Sequence, residues 1–131
     1  MSPRNIPSDV LEAVEALVRA LSSRVRVERV LIFGSYARGN WLKTSDLDLI
    51  IVSKDFEGMR FGERLDLIGR VCWELGLRPS IEALAYTPEE LERKVIESAV
   101  VGDASRYWIE LSFTGEARGV EAKRPETVGS E

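Results

Sequence analysis

Apolar residues recur at three- and four-residue intervals near the start of the chain, at Val10, Leu11, Val14, Leu17, Val18 and Leu21, with Ser8 ahead of them. That spacing gathers them on one stripe of a helix and makes Ser8 its N-cap. The pattern then changes. Val27 to Phe33 is a β-rich run that stops at Gly34, and Asp46 to Val52 is a second; both predict strands. Phe61, Leu65, Ile68, Cys72 and Leu75 mark one face of a long helix, which Gly76 is placed to end. A third strand is predicted from Pro79 to Tyr86. In the TPEEL that follows, Thr87 caps, Pro88 suits the first helical position and Glu90 completes a capping box, so a helix should run from Pro88 to about Val100. Arg106 to Leu111 alternates as a short last strand, expected at a sheet edge. Beyond Phe113 few large apolar residues remain, and residues 114–131 are expected to form a mobile tail. The alternation of elements predicts an α/β (α+β) domain over residues 1–113, a small mixed β-sheet with helices packed on it.

Composition narrows the chemistry. With 131 residues, 44% of them hydrophobic and 31% charged, the chain has the length and balance of one globular domain. A net charge of -4 argues against a surface that holds a nucleic-acid duplex by phosphate neutralisation. Cys72 is the only cysteine and falls on the apolar face of its helix, where it reads as a core residue; histidine is absent. Cys/His zinc sites are therefore excluded, and any metal must be held by oxygen. The N-terminal stretch lacks the apolar run of a signal peptide and no window has the length of a membrane span, so the cytoplasm is the expected compartment. Glutamine is absent and only Asn5 and Asn40 represent asparagine, which fits a heat-adapted source.

Two features carry chemistry. In the second predicted strand Asp46, Asp48, Ile50 and Val52 share one face. An acidic pair in a strand most often faces water. Here the same face continues as apolar residues, and two carboxylates within about 7 Å beside apolar surface repel and lose hydration unless a cation or hydrogen-bond donors compensate. A divalent metal supplies that compensation. Just upstream, GSYARG ends the first strand; Gly34 permits close backbone approach and Ser35 opens a short helix whose free N–H groups, with the Ser35 hydroxyl, suit phosphate oxygens.

Taken together, GSYARGNWLKTSDLDLII resembles the motif of the DNA polymerase β-like nucleotidyltransferase superfamily, and most closely its minimal nucleotidyltransferases: Gly34, Ser35, Gly39, Ser45, Asp46, Asp48 and Leu49 all stand where that pattern places them. The resemblance implies the polymerase β-like fold, Mg2+ as cofactor in two ions, with Mn2+ as an alternative, and ATP or another nucleoside triphosphate as substrate. It also implies a third carboxylate from a neighbouring strand. Glu82 is the candidate, although relatives often carry aspartate there, and a plain surface glutamate is the competing reading. On this pattern Asp46, Asp48 and Glu82 are metal-binding and catalytic, with Glu82 taking the acceptor's proton, while Gly34, Ser35, Arg38 and Ser45 hold phosphates. For Arg38 an ordinary exposed arginine is equally open, and Ser45 also suits a local backbone bond that orders its loop. Trp41, Trp73 and Trp108 could each stack a base, although a tryptophan more often serves packing or an interface; Trp41 alone lies near the motif.

The implied reaction moves a nucleoside monophosphate, AMP from ATP, onto an acceptor hydroxyl. In the minimal branch the acceptor is often a tyrosine of a HEPN-type toxin, which makes such proteins antitoxins. Three alternatives stay open: an antitoxin that works by binding its partner with nucleotide as a ligand, a small-molecule nucleotidyltransferase of the aminoglycoside kind, and a metal-dependent glycosyltransferase. The small-molecule reading would need a further pocket, which a homodimer could supply.

Overall fold

The computed structural model describes residues 6–113 and 120–125. In chain order its elements are α1 (Ser8–Leu21), β1 (Arg29–Phe33), α2 (Ser35–Arg38), β2 (Leu47–Val52), α3 (Phe61–Leu75), β3 (Ile81–Tyr86), α4 (Pro88–Glu97), α5 (Ala99–Ala104), β4 (Ile109–Phe113) and β5 (Val120–Lys123). The strands form one sheet in the order β3-β2-β1-β4-β5. Only the β2–β3 pair is parallel, and α3 supplies the crossover that a parallel pair needs. The expected mixed sheet with helices packed on it is thus present. Among the described residues no helix is long and apolar enough to cross a membrane.

Strand β2 explains why its run is so apolar: it is covered on both faces. Leu47, Leu49 and Ile51 pack with Val30 and Ile32 against α1 and α3, where Val14, Leu17 and Leu21 are fully buried. Burying each such side chain contributes about 1.5–3 kcal/mol. Ile50 and Val52 face the other way and meet Leu31, Tyr86, Leu91, Val101 and Trp108, under α4 and α5. Asp48 is the one polar residue in this strand.

Several boundaries differ from the expectation for local reasons. Ser8 is the first helical residue, not the cap; Pro7, in an extended conformation, turns the chain in, and its carbonyl accepts from Val10 and Leu11. The first strand begins at Arg29 because its partner β2 ends at Val52, opposite Arg29. Asp46 falls just outside β2, whose pairing with β3 starts at Leu47 and Ile81. Gly76 ends α3 with φ 62°, as expected. Thr87 and Glu90 form the expected capping box at the start of α4. The helix stops at Glu97, however, since Ser98 is extended and its hydroxyl accepts from Val101 N–H to start α5. The close crossing brings Gly102 against the Val95 carbonyl, where a Cβ would collide.

The largest departure concerns the end of the sheet. Arg106 to Trp108 continue a helical turn, with Trp108 N–H donating to Ala104 O, so the last predicted strand shifts to Ile109–Phe113. It is not an edge strand. β5, from within the segment expected to be a mobile tail, pairs with it on the outside, Glu110 opposite Lys123 and Leu111 opposite Ala122. The tail expectation for residues 114–119 and 126–131 lies outside the described residues.

Candidate active site

Asp48 lies at the open end of the face that α4 and α5 cover. Its register neighbours are Phe33 on β1 and Glu82 on β3. Side chains directly opposite on adjacent strands share a face, so Asp48 and Glu82 stand side by side. Asp46, one alternation earlier, is exposed, as is Glu82. Burial pushes the Asp48 carboxyl above its ordinary range; the negative charges of Glu82 and then Asp46 push it further, and Arg38 opposes them. Of the expected trio, the strand register sets Asp48 beside Glu82, while Asp46 stands just outside β2.

The turn after β1 closes on the same carboxylate. Gly34 has φ 74°, and a Cβ built there would overlap the Asp48 carboxyl group. No residue but glycine fits. Gly34 then leads into the four-residue α2, which ends at Gly39 with φ 89°. Ala37 and Arg38 N–H both donate to Gly34 O. The Ser35 and Tyr36 N–H groups have no acceptor among the described residues, as the first turn of a helix leaves them. Gly34→Ala should accordingly displace Asp48 and lose nucleotide binding by about tenfold or more, for a penalty near the few kcal/mol of a strained backbone site. Calorimetric titration with ATP checks it, alongside circular dichroism to show that the fold persists.

One participant had no sequence signal. Tyr107, which reads as part of a strand, instead sits in the turn before β4 and brings its hydroxyl to the Gly34 turn. It accepts from Gly34 N–H at 3.2 Å and from Arg38 Nη1 at 2.7 Å, and the Arg38 guanidinium lies over its ring, 5.2 Å from the centroid. Arg38 is thereby held toward the site. Phe33, Gly34, Arg38, Asp48, Val100 and Tyr107 line a cleft of about 390 Å³. A larger groove of about 710 Å³ adjoins Asp46, with Trp41 at its wall. The Trp41 ring stacks on Tyr36 at 5.2 Å and 12°, so one of its faces is already packed. Ser45, expected to hold phosphate, has its hydroxyl accepting from Leu42 N–H at 2.8 Å, which orders the loop ahead of Asp46. Trp108 is core, and Trp73 is exposed near the end of α3.

Among the described residues no three carboxylates or thiols stand close enough to form a ready-made cation cage. The donors still suit a hard divalent ion: they are all oxygen, and after burial it is Glu82 and Asp46 that push the Asp48 carboxyl up, with Arg38 opposing them. Asp48 with Glu82 beside it and Asp46 within electrostatic reach would hold such an ion.

Comparison with known proteins follows the same lines. Residues 14–107 match the family described as nucleotidyltransferase domain. Two proteins of Methanocaldococcus jannaschii, each named a "putative protein adenylyltransferase", are similar. One is 32% identical over 87 residues, spanning 64% of this chain and 80% of its own length. The other is 23% identical over 105 residues, spanning 79% of this chain and 99% of its own. A crystal structure from Sulfolobus solfataricus, of a "putative nucleotidyltransferase", overlays with 28% identity and a TM-score of 0.47, covering 66% of this chain and 80% of that one.

Proposed function

This chain belongs to the nucleotidyltransferase domain family, and from that premise we propose that it transfers AMP from ATP to a hydroxyl group of a protein. The observation that carries the proposal is the register of Asp48 beside Glu82, with the Gly34 backbone pressed against the Asp48 carboxylate. A triphosphate laid on the free amides of Ser35 and Tyr36 is then held next to the acid groups. Asp46, Asp48 and Glu82 would hold divalent ions, Mg2+ in the cell, which supply charge neutralisation and acidify the acceptor hydroxyl.

The chain's own groups do the rest. Ser35 and the α2 amides bind the outer phosphates, and Arg38 stabilises the charge that builds on them. Glu82, exposed at the sheet edge, takes the proton of the acceptor hydroxyl. The acceptor oxygen forms its bond to the α-phosphorus as the bond to the pyrophosphate oxygen breaks, in line. The similarity to named protein adenylyltransferases supports ATP and a protein acceptor. The motif's resemblance to minimal nucleotidyltransferases supports a tyrosine of a HEPN-type toxin as that acceptor, in the cytoplasm where ATP is abundant.

Incubating the protein with α-labelled ATP, Mg2+ and a co-expressed helical toxin tests this. Label on the toxin's tyrosine that disappears with a chelator is the expected result; toxin neutralisation without label contradicts it. That second outcome would match a non-catalytic antitoxin, a reading that Tyr107 favours, since its hydroxyl engages two groups a phosphate would use. Tyr107→Phe frees both donors while keeping the ring under Arg38. It should tighten ATP binding about threefold to tenfold, the worth of a hydrogen bond or so. Weaker binding in the same titration would place the hydroxyl within the phosphate cradle instead.

A further inference from the structure

We infer that the open edge of β3 docks the protein acceptor as an added extended strand, which sets its hydroxyl side chain level with Glu82; this rests on the transfer reading above. β3 is the last strand on its side of the sheet. The Ser80 carbonyl accepts from Leu47 N–H at 2.8 Å, and the Tyr86 carbonyl from Ser53 N–H at 3.0 Å. Main-chain groups of alternate residues point the same way, so Ser80, Glu82, Leu84 and Tyr86 face β2. Ile81, Ala83 and Ala85 face outward. The Ala85 carbonyl shows it, because Arg64 Nη1 reaches it from that side at 3.0 Å and closes the edge there. The amides and carbonyls of Ile81 and Ala83 have no partner among the described residues.

Those four groups are what an extended polypeptide needs to add to a sheet. No lysine, proline or bulge blunts β3, and Arg64 covers its edge only at Ala85. An added residue opposite Glu82 would project its side chain onto the Asp48–Glu82 face, with Cβ about 4.5–5.5 Å from that of Glu82. Its two chain neighbours would project onto the other face. There a groove of about 530 Å³ runs between the end of α3 and the start of β3, lined by Gly69, Cys72, Trp73, Leu77 and Ile81. Trp73 is 85% exposed at its rim. The docked segment is therefore an extended one whose hydroxyl residue has an apolar neighbour on the Ile81 side.

A library of short synthetic peptides, each with a central tyrosine between two leucine or valine residues and otherwise randomised, is labelled from α-labelled ATP with Mg2+. Ala83→Pro removes an outward N–H and fixes that residue's φ, while the residue before it keeps the extended backbone that proline favours, a change edge strands tolerate. It should leave ATP binding unchanged and cut peptide labelling by about tenfold, the loss of one or two hydrogen bonds. Peptides N-methylated at the amides that would pair with β3 should lose label to the same degree on the unaltered protein, whatever the variant's folding. Undiminished labelling of the methylated peptides, or no peptide labelled by protein that binds ATP, overturns the docking while the transfer reading stands. Failure to bind ATP at all overturns the transfer reading and the docking with it. A dimer that Ala83→Pro converts to monomer with labelling intact assigns the edge to a second copy and likewise overturns the proposal.

Discussion

Asp48→Asn is expected to cut nucleotidyl transfer by roughly 10²–10³-fold, the loss typical of removing one preorganised electrostatic group. In a chelator it should also melt no lower than the unaltered protein. Both follow from one arrangement. The Asp48 carboxylate is half-buried beside Glu82 and near Asp46, so its pKa is raised, chiefly by burial. A raised carboxyl binds more protons in the folded state than in the unfolded one. Its contribution to stability is therefore greatest below the ordinary carboxylate pKa and declines as pH rises through the raised value. At neutral pH without metal the charge is a liability, and asparagine removes it. Thermal melts of the two proteins with and without Mg2+ check the prediction: Mg2+ should raise the melting temperature of the unaltered protein and leave that of Asp48→Asn in place.

Glu90→Ala should destabilise the fold by about 3–5 kcal/mol, because it strands a buried guanidinium. The Arg64 side chain is 6% exposed. It donates to Met59 O and Ala85 O, and its Nη1 and Nη2 meet the Glu90 carboxylate at 2.6 and 3.2 Å. Glu90 also accepts from Thr87 N–H in the capping box, so the same substitution uncaps α4. The Arg64 hydrogen bonds hold the Glu90 carboxyl below its ordinary value of 4.5. A depressed carboxyl stabilises the fold above its unfolded pKa and loses that contribution as pH falls through the folded one. Urea unfolding at neutral pH should show the full loss for Glu90→Ala. Repeated at falling pH below about 5, it should show the difference between the two proteins shrinking. A constant difference would mean that Glu90 acts through packing alone.

How much was legible in the sequence depended on whether a feature is set locally. Gly34, Ser35 and Asp48 follow from a strand, a tight turn and a strand close together in the chain, while Asp46 falls just outside the strand expected to hold it. The end of α3 at Gly76 and the Thr87–Glu90 cap are equally local. Glu82 could be named as a strand residue, but its place beside Asp48 depends on the register between β2 and β3, separated by the whole of α3. The second role of Glu90 was invisible for the same reason, since Arg64 lies 26 residues away. Tyr107 reaches Gly34 across 73 residues, and no periodicity carries that information. The last strands were misplaced because Arg106 to Trp108 alternate like a strand yet complete a helical turn. β5 is a short, polar segment that pairing with β4 stabilises, a tertiary gain that composition does not register.

The Gly34 turn and the carboxylates of β2 and β3 act as one site only if nucleotide and metal bind together. Calorimetric titration of ATP into the protein, with Mg2+ and then with a chelator, measures this directly, with Asp48→Asn as the control. Saturable one-to-one binding that requires both Mg2+ and Asp48 is the expected result. Binding of equal strength without Mg2+ or without the Asp48 carboxylate would contradict it, and would leave the acid groups and the turn as neighbours with no shared chemistry.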